Sequence, residues 1–473
     1  MNQAYDQKEF YRAHLARDPR FDGRFFVAVK TTKIYCRPTC PARKAKLENL
    51  EFFLHAVEAE EAGYRPCMRC RPETAPGSAA WIGSPLIVQR ALRLMDASAL
   101  EELSIQDLAG KLDIGERWLR ELFQQQLGAS PQKILLSKKL DIARGLLDST
   151  HLSITDIAFS SGFQSLRRFN EAFKTRFHKT PSVFRKAPQA GGHHRIHLSY
   201  RPPYAWPNMI RYFQARAIPG MEQVEGASYQ RLFTHGQIRG WFKVTPGPKH
   251  TLAIEFNLNK NWNLLELTAR LKNIFDLDAD PMMIDTALQE DPQLLPYLNQ
   301  YPGLRIPGCW DGFELAVRAI VGQRISVKAA HTILTRMVSL FGEKQHLDPT
   351  LALRHFFPTP EAILTADLSK IGLTQARVAS LKALAHAVAD QSLTLDGTAD
   401  ESETRKKLLS IKGIGPWTVE YIAMRALKNP DGFPESDLEL QKKIKRLQLD
   451  PKKWAPWRAY AAILLLNIQC EEK

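Results

Sequence analysis

Four cysteines near the N-terminus are spaced for metal binding. They stand as C-x3-C in KIYCRPTCPARK, at Cys36 and Cys40, and as C-x2-C in GYRPCMRCRP, at Cys67 and Cys70. Two such pairs of thiolates surround one tetrahedral ion, and sulfur ligands suit zinc. We expect one Zn²⁺ bound by all four cysteines, and on spacing alone a structural role is the ordinary one.

A second group of chemically notable residues lies in the C-terminal third. The segment LLSIKGIGPWTVEYIAMRAL places Gly413 and Gly415 between two helical stretches, with Pro416 at a helix-starting position. Glycines permit a tight turn, and the free amides of the following helix bind a phosphate without reading sequence. Downstream, Asp437 follows a proline-containing loop in FPESDLELQ and precedes the basic stretch KKIKR.

Trp417 and Tyr421 follow the glycine turn at a spacing of i, i+4, so they share one helix face. Such a pair stacks on an electron-poor ring by cation–π attraction or packs into a core. Both alternatives are open at this stage.

The elements that position these residues differ along the chain. SIQDLAGKLDIGERWLRELFQQQLGASP, from Ser104, is echoed by SITDIAFSSGFQSLRRFNEAFKTRFHKTP, from Ser153. Each copy has a serine N-cap, a turn and a second amphipathic helix that ends at proline, which predicts two tandem helix-turn-helix units.

Breaks between domains are predicted at residues 75–78 and 186–194. Strand-like pieces such as HTLAIEFNL follow, and helical periodicity returns from Pro302.

Composition limits the classes of function. The chain has 473 residues, 44% of them hydrophobic, and a net charge of +15. A chain of this length is too long to fold around one hydrophobic core, so we expect several domains. No apolar run reaches the ~18–20 residues that a membrane-spanning helix needs. No secretory pattern opens the chain. We expect a protein of the cytoplasm, associated with the nucleoid, with nucleic acid as partner and no membrane contact. Cys309 and Cys470 stand alone and are expected to be buried.

The cysteine segment FFVAVKTTKIYCRPTCPARK, with GYRPCMRCRP, closely resembles the N-terminal domain of the adaptive-response Ada proteins. The resemblance implies that Cys36, the first zinc cysteine, takes a methyl group from a methylated DNA phosphate. Zinc keeps sulfur as the reactive thiolate. Methylation removes one negative charge from the centre, and we expect this to switch on DNA binding. The arginines near the cysteines in sequence are therefore candidate phosphate contacts, and the alternative is that they are only solvated. They are Arg37, Arg43, Arg65, Arg69 and Arg71.

The helical repeat resembles the DNA-binding region of AraC-type activators, whose two units occupy successive major grooves. This implies sequence-specific transcriptional activation, with RNA polymerase as a partner. Seven residues of the two second helices are candidate DNA contacts, and each of them either reads a base or contacts only phosphate. For one of them, Trp118, a position in the core is a further alternative. The candidates are Arg117, Trp118 and Arg120 in the first unit, with Ser165, Arg167, Arg168 and Asn170 in the second.

The C-terminal half, essentially from Leu198 to Cys470, resembles the AlkA-type 3-methyladenine glycosylases of the helix-hairpin-helix superfamily. HLSYRPPYAWPNMIRYFQARAIPG, YPGLRIPGCWDGFELAVRAIVGQ and WAPWRAYAAILLLN carry the likeness beside the hairpin and the aspartate. It implies that Asp437 stabilises the oxocarbenium-like sugar while an alkylated base, flipped from the duplex, departs. Trp417 and Tyr421 then line the base pocket. TVEYIAMR offers no lysine, so a lyase is not expected.

Two positions depart from this family. Leu466 stands where the family has a pocket tryptophan, and Arg324, beside Ile325, stands where it inserts a leucine wedge into DNA. Arg324 and Ile325 are our candidate wedge, and Leu466 our third pocket residue.

The family also binds a monovalent cation, Na⁺ or K⁺, through hairpin carbonyls. The matching residues here are Leu409, Ile411 and Gly413, while Gly413 and Gly415 are the expected phosphate contacts. No organic cofactor is expected.

The sequence therefore predicts a multidomain, mainly α protein that acts as a monomer. A small α+β zinc domain, an all-α tandem helix-turn-helix domain, an α+β AlkA N-terminal-like domain and an all-α helix-hairpin-helix glycosylase domain are expected at residues 1–76, 82–187, 195–302 and 303–473.

The predicted function is hydrolytic excision of 3-methyladenine and 7-methylguanine, joined to methyl transfer onto Cys36 and transcriptional regulation. Two alternatives stay open: a transcription factor whose glycosylase half only binds DNA, and a zinc domain with a purely structural role. No Pro-Cys-His-Arg motif occurs, so repair of O6-methylguanine is not expected.

Overall fold

The computed structural model describes residues 7–76, 86–97, 104–149, 152–185, 194–260, 262 and 264–468. The predicted break at 186–194 lies outside these residues except for His194, as do residues 77–78 of the first break, and so does Cys470. Among the described residues, no helix is both long and apolar enough to cross a membrane. We name four regions: the cysteine module (7–76), the paired helix-turn-helix region (86–185), the sheet module (194–311) and the helical module (312–468).

The cysteine module is a four-stranded sheet with one helix before its first strand and a second helix between its third and fourth strands. The strands are ordered β3-β1-β2-β4, with β1 antiparallel to both neighbours and β4 parallel to β2. Phe10 of the first helix stacks on Phe25, which closes the small core under β1. The elements are α1 (Gln7–Ala16), β1 (Phe26–Val29), β2 (Ile34–Cys36), β3 (Leu50–Phe53), α2 (Ala56–Glu61) and β4 (Arg65–Pro66).

The paired helix-turn-helix region confirms the internal repeat. Ser104 and Ser153 each form a capping box, with Asp107 and Asp156 returning the hydrogen bond. A long helix joins the two units. The elements are α3 (Leu86–Ala97), α4 (Ile105–Leu112), α5 (Glu116–Leu127), α6 (Pro131–Ser149), α7 (Ile154–Ser160), α8 (Leu166–Phe177) and α9 (Pro181–Phe184).

The sheet module is α+β, as the alternating pattern predicts. Its five antiparallel strands run in the order β5-β9-β8-β7-β6, and pairs such as Phe242 with Phe256 set the register. Trp206, Phe213 and Phe275 from two helices pack on this sheet. The elements are β5 (His194–Ser199), α10 (Trp206–Gln214), β6 (Glu222–Glu225), β7 (Ser228–His235), β8 (Ile238–Gly247), β9 (Thr251–Leu258), α11 (Leu264–Phe275), α12 (Pro281–Leu288) and α13 (Leu295–Gln300).

The helical module is built around two mostly apolar helices, Gly312–Gly322 and Arg458–Asn467, most of whose residues are buried. Val419 and Ile422 share a buried cluster with the first of these helices, and Phe433 shares one with the second. The elements are α14 (Gly312–Gly322), α15 (Val327–Phe341), α16 (Pro360–Thr365), α17 (Gln375–Ala389), α18 (Glu401–Ser410), α19 (Pro416–Arg425), α20 (Leu438–Leu447) and α21 (Arg458–Asn467).

A buried network of charges joins the sheet module to α14. Arg231 contacts Glu314 at 2.7 Å, and Arg318 reaches Glu222 at 2.6 Å. Removing one member of such a network strands a buried charge, which costs about 3–5 kcal/mol. This network fixes α14, and with it the hairpin, relative to the sheet.

Other contacts also join the regions, and one buried apolar cluster contains Phe169 and Phe173 of the helix-turn-helix region together with Phe242 and Phe256 of the sheet module. Arg24 of the cysteine module lies 3.2 Å from Asp280 of the sheet module. Arg90 of α3 donates to the carbonyl oxygen of Thr398 in the helical module at 2.6 Å. The helix-turn-helix region therefore contacts the helical module directly.

Candidate functional site

Asp437 is the N-cap of α20. Its Oδ1 accepts the backbone amides of Glu439 at 3.0 Å and Leu440 at 3.2 Å, and its Oδ2 accepts the indole N–H of Trp417 at 2.9 Å. A carboxylate at this place faces the positive end of the helix dipole. Both carboxylate oxygens accept hydrogen bonds, so α20 and Trp417 of α19 fix the orientation of the carboxylate.

The loop before Asp437 is pinned to the hairpin. The amide of Phe433 donates to Glu420 of α19 at 3.1 Å, and the amide of Asp437 donates to the Pro434 carbonyl at 2.8 Å. Glu420 also pairs with Arg405 of α18. The proline-containing loop therefore keeps Asp437 at a set distance from both hairpin helices.

The hairpin turn between α18 and α19 needs its first glycine. Gly413 has φ +92°, and a Cβ there would lie 2.2 Å from Ser380 Oγ. Ser380 in turn donates to the Lys412 carbonyl at 2.7 Å. Gly415 is the N-cap of α19 and has no side chain to cap it, which leaves the first amides of the helix for an external anion.

Two of the three carbonyls expected to bind a monovalent cation are already acceptors. The Gly413 carbonyl accepts from Gln323 Nε2 at 3.0 Å, and the Ile411 carbonyl accepts the Ile414 amide at 3.0 Å. Each carbonyl oxygen has a second lone pair, so a cation is compatible with these bonds. The side chain of Leu409 is exposed.

We call the rings of Trp417, Tyr421 and Tyr212 the aromatic wall, and the sequence predicts only the first two of them. Trp417 and Tyr421 stack with ring centroids 5.2 Å apart, as their spacing requires. The hydroxyl of Tyr421 lies 3.4 Å from that of Tyr212, which belongs to α10 of the sheet module. Arg425, one turn further along α19, contacts both tyrosine rings. Sequence reasoning missed Tyr212, because only folding brings α10 beside α19.

Leu466 lies near the C-terminal end of α21 with 41% of its surface exposed. This helix end is held from α20, since the buried Lys443 donates to the carbonyls of Leu465 and Ile468 at 2.8 and 2.9 Å. The helix that begins at Asp437 therefore also fixes the segment that carries Leu466.

The candidate wedge follows α14. Arg324 is exposed and has φ +55°, a left-handed conformation unusual for a residue with a side chain. Ile325 is half-buried. The preceding residue, Gln323, donates to both the Gly413 carbonyl and Thr418 Oγ1, the latter at 2.9 Å. Gln323, which sequence reasoning also missed, ties the wedge to the hairpin.

The four cysteines converge. The sulfurs of Cys36, Cys40, Cys67 and Cys70 all lie within 4.8 Å of one another, and the first three are buried. Hydrogen bonds from Cys36 and the other two thiols hold the pKa of Cys67 well below its usual range. Contacts with Cys40 and Cys67 raise the pKa of Cys36. Sulfurs this close suit one tetrahedral cation, so the residues present fit zinc.

Backbone amides donate to three of these sulfurs. Ala42 donates to Cys40, Cys70 to Cys67, and Arg37 to Cys70 at 3.3 Å. Cys36 is 8% exposed, whereas Cys70 is half-buried and lines a large cavity between the modules.

The arginines of the cysteine module occupy different environments. Arg37 forms an ion pair with Asp22, and Arg71 with Glu73 at 3.0 Å. Arg65 is half-buried. Arg43 and Arg69 are exposed, so a phosphate reaches both of them from solvent.

The two recognition helices present equivalent surfaces. Arg117 of α5 is 93% exposed and pairs with Glu121, and Arg167 of α8 is 88% exposed and pairs with Glu171, both at 3.0 Å. Among the other candidates, Trp118 is exposed, which contradicts a core position for it. Arg120 and Arg168 are exposed, Asn170 is half-buried, and Ser165 caps α8 by accepting the amide of Arg168.

Family models match the chain in four consecutive segments. They are the metal binding domain of Ada at residues 9–73, a helix-turn-helix domain at 108–187, the AlkA N-terminal domain at 195–311 and the HhH-GPD superfamily base excision DNA repair protein at 317–462. These segments and the geometry above define a multidomain protein with a zinc domain, a helix-turn-helix region and a helix-hairpin-helix glycosylase domain.

Whole-length similarity gives the family. The probable bifunctional transcriptional activator/DNA repair enzyme AlkA of Mycobacterium tuberculosis is 37% identical over 96% of this chain and 95% of its own. The chain belongs to this family of bifunctional transcriptional activators and DNA repair enzymes.

Partial relatives match each half. DNA-3-methyladenine glycosylase 2 of Escherichia coli is 32% identical over 56% of this chain and 94% of its own, and the bifunctional transcriptional activator/DNA repair enzyme Ada of the same organism is 34% identical over 34% and 45%. A 3-methyladenine DNA-glycosylase structure from Archaeoglobus fulgidus has a TM-score of 0.51 and 22% identity, covering 57% of this chain and 96% of that one. That likeness shows the fold.

Proposed function

We propose that the C-terminal half hydrolyses the N-glycosidic bond of alkylated bases such as 3-methyladenine and 7-methylguanine, with Asp437 as the catalytic carboxylate. The observation that carries this is the position of Asp437, held between the N-terminus of α20 and the indole of Trp417 beside the phosphate-binding hairpin. As the bond breaks, the carboxylate stabilises positive charge on the sugar, and water completes the hydrolysis.

The remaining roles in this reaction are proposed from the same geometry. The amides beyond Gly413 and Gly415 hold a DNA phosphate, and Arg324 with Ile325 enters the duplex where the base leaves it. Trp417, Tyr421 and Leu466 line the base pocket. A Na⁺ or K⁺ bound by Leu409, Ile411 and Gly413 carbonyls would add positive charge toward that phosphate.

Release of free base from methylated DNA tests the assignment. We expect the protein to release 3-methyladenine and 7-methylguanine, and Asp437→Asn to reduce release by at least ~100-fold, as removal of one electrostatic group at such sites does. The asparagine oxygen still accepts the two amide hydrogen bonds of the N-cap, so this variant keeps the fold, while its NH2 group loses the hydrogen bond from Trp417. Release that is equal in both proteins contradicts the role of Asp437. No release from either favours the alternative of a DNA-binding half without activity.

We further propose that Cys36 accepts a methyl group from a DNA methyl phosphotriester. The sulfur–methyl bond forms as the methyl–oxygen bond breaks, and the phosphodiester anion departs. Zinc bound by the four cysteines keeps the sulfur as thiolate. The match of residues 9–73 to the metal binding domain of Ada, in which Cys36 is the first of the four converging cysteines, supports Cys36 as the acceptor.

Mass spectrometry after exposure to methyl-phosphotriester DNA identifies the methylated cysteine. A methyl on Cys36 that is absent from Cys36→Ser is the expected result. Cys70 is the more exposed sulfur, so a methyl there contradicts the assignment, and no methyl on any cysteine indicates a structural zinc domain.

The regulatory role rests on the paired recognition helices. We propose that they bind promoter DNA, with base or phosphate contacts from Arg117, Arg120, Arg167 and Arg168, and that Arg37, Arg43, Arg65 and Arg69 add phosphate contacts once Cys36 is methylated. RNA polymerase is the proposed further partner. We propose a monomer located at the nucleoid in the cytoplasm, divided into domains at 1–76, 82–187, 195–302 and 303–473.

A further inference from the structure

A buried polar network joins the strand that carries Cys36 to the second recognition helix. Tyr35 precedes Cys36 on β2, is fully buried, and donates from its hydroxyl to Glu60 Oε1 at 2.7 Å. The same oxygen accepts from Nε of Arg176, on α8, at 2.8 Å. One carboxylate oxygen of α2 therefore binds both a tyrosine of the cysteine module and an arginine of the recognition helix.

Arg176 is also held from the long helix α6. Only 6% of its side chain is exposed, and its Nη1 lies 2.7 Å from a carboxylate oxygen of Asp141 and donates to the carbonyl of Ser137 at 2.9 Å. Hydrogen bonds and ion pairs of a guanidinium are short and directional. The C-terminal part of α8 is therefore fixed relative to both α2 and α6.

The backbone of Tyr35 connects this network to the metal-binding cysteines. Tyr35 is adjacent to Cys36 in the chain, and its carbonyl accepts the amide of Cys67 at 2.9 Å. α8 also packs on β4, the strand Arg65–Pro66 that leads into Cys67. Tyr35 thus contacts the cysteine cluster through its backbone and, through Glu60, the recognition helix.

The hydroxyl of Tyr35 is the part of the side chain that makes this link. Burial and the charge of Glu60 raise the pKa of Tyr35 well above its ordinary value, so the hydroxyl is protonated at neutral pH and donates. The ring packs edge-on against Phe26, with centroids 5.8 Å apart. Phenylalanine at position 35 keeps the ring and removes only the donor.

We propose that Tyr35 is a positioning residue for promoter recognition: acting through Glu60 and Arg176, it sets the placement of α8 against DNA. The inference rests on the proposed binding of promoter DNA by the two recognition helices. Arg176 shares α8 with Arg167, an exposed candidate for DNA contact. Because a helix of this length moves as a rigid unit, a shift of α8 at Arg176 displaces Arg167.

The first helix-turn-helix unit contacts α2 by a different route. Glu58 packs on Gly128 at the end of α5, and that contact does not include Tyr35. The effect of Tyr35 should therefore fall on the DNA contacts of the second unit, and not on that of Arg117 in the first.

The size of the effect follows from the hydrogen bond that is lost. Removing a hydrogen bond to a charged group changes an equilibrium by about tenfold or more. Arg176 keeps its contacts with Glu60 and Asp141, so only part of this loss reaches α8. We expect Tyr35→Phe to weaken DNA binding by about threefold to tenfold.

The test is a double-mutant cycle. The probe is a duplex selected from a random-sequence pool for tight binding to the wild-type protein, and dissociation constants are measured at one salt concentration. In the Arg167→Ala background, Tyr35→Phe should have less than about a twofold effect, because the contact that it places is already gone. In the Arg117→Ala background its full effect should remain. A protein that is merely destabilised would lose binding by the same factor in both backgrounds.

Tyr64→Phe is the matched control. Tyr64 is buried in the same module and also donates to a glutamate at 2.7 Å, but its partner, Glu51, belongs to β3 and not to α2. This variant should bind DNA within about twofold of the wild type. Zinc content shows whether the cysteine module is folded, and we expect one ion per chain in both tyrosine variants.

Four results would overturn the proposal. They are wild-type binding by Tyr35→Phe, an equal loss in the two arginine backgrounds, a matching loss in Tyr64→Phe, and loss of zinc from Tyr35→Phe. Failure of the wild-type protein to select any duplex instead contradicts the proposed promoter binding itself.

Discussion

At the scale of single residues, Asp437 combines two tasks through its two oxygens. Oδ1 caps α20, and Oδ2 accepts from Trp417. Because the cap needs only an acceptor, a neutral amide preserves it, and alanine removes it at a cost of about 1 kcal/mol. Stability and activity at this position are therefore separable by the choice of substitution.

Gly413 and Gly415 allow a matched test of the hairpin turn. Gly413 has φ +92° and lacks space beside Ser380, whereas a Cβ at Gly415 has nothing within 4 Å. We expect Gly413→Ala to lower the free energy of unfolding by about 1–3 kcal/mol and to weaken DNA binding. Gly415→Ala should change stability by less than about 0.5 kcal/mol. Chemical denaturation and DNA titration measure both, and equal effects of the two substitutions would contradict the assigned geometry.

At the scale of elements, the pH dependence of stability should depend on the network between the sheet module and α14. Burial acts to raise the pKa of Glu222, but Arg318 and Arg231 outweigh it and lower the pKa below its ordinary value of 4.5. A depressed carboxyl pKa stabilises the fold above pH 4.5, and this contribution is lost as pH falls through the folded-state pKa.

We therefore expect the wild-type protein to lose stability between pH 5 and pH 3 more steeply than Glu222→Gln, which starts less stable at pH 7 by roughly 3 kcal/mol. Urea unfolding at several pH values measures this. The control is Glu343→Gln, because Glu343 forms an exposed pair with Arg239 and its loss should matter little. Parallel pH profiles for wild type and Glu222→Gln would contradict the prediction.

The recognition helices make equivalent predictions. Arg117 and Arg167 have matching exposure and matching i, i+4 partners, so each arginine replaced by alanine should weaken promoter binding by about 1–3 kcal/mol. The double variant should show the sum, since the two side chains lie on separate helices. Lys370→Ala, a surface change in the helical module, is the control. Promoter binding is measured at one salt concentration. If it depends on only one of the two arginines, the two recognition helices do not contact DNA in the same way.

Local patterns predict the elements far better than the contacts between them. The serine caps at Ser104 and Ser153 and the turn at Gly413 are set by neighbours a few residues away, so sequence reasoning finds them. Tyr212 and Arg425 meet only after α10 packs on α19, and no spacing in the sequence encodes that contact. The aromatic wall was therefore predicted in part, and the cation behind it was not.

At the scale of the whole molecule, zinc removal should separate the two activities. The zinc-binding cysteines organise a module that contacts the helix-turn-helix region through Glu60 and Arg176, with Nε to Oε1 at 2.8 Å. The hairpin and Asp437 make their contacts inside the helical module. We expect a strong chelator to weaken promoter binding by about tenfold or more and to leave base release within about twofold. Re-addition of zinc is the control, and a parallel loss of base release would show that the glycosylase half depends on the metal.

The short helix α2 touches both halves of the helix-turn-helix pair. Glu58 packs so closely on Gly128, at the end of α5, that a Cβ there would meet its carboxylate carbon at 2.3 Å, while Glu61 pairs with Lys133 of α6 and Glu60 with Arg176 of α8. Because α2 contacts both helix-turn-helix units, it holds the two recognition helices at a fixed separation. Promoters of this protein should therefore keep their two half-sites at a constant distance, close to one helical turn of about 10–10.5 base pairs, and tolerate base changes better than insertions between them.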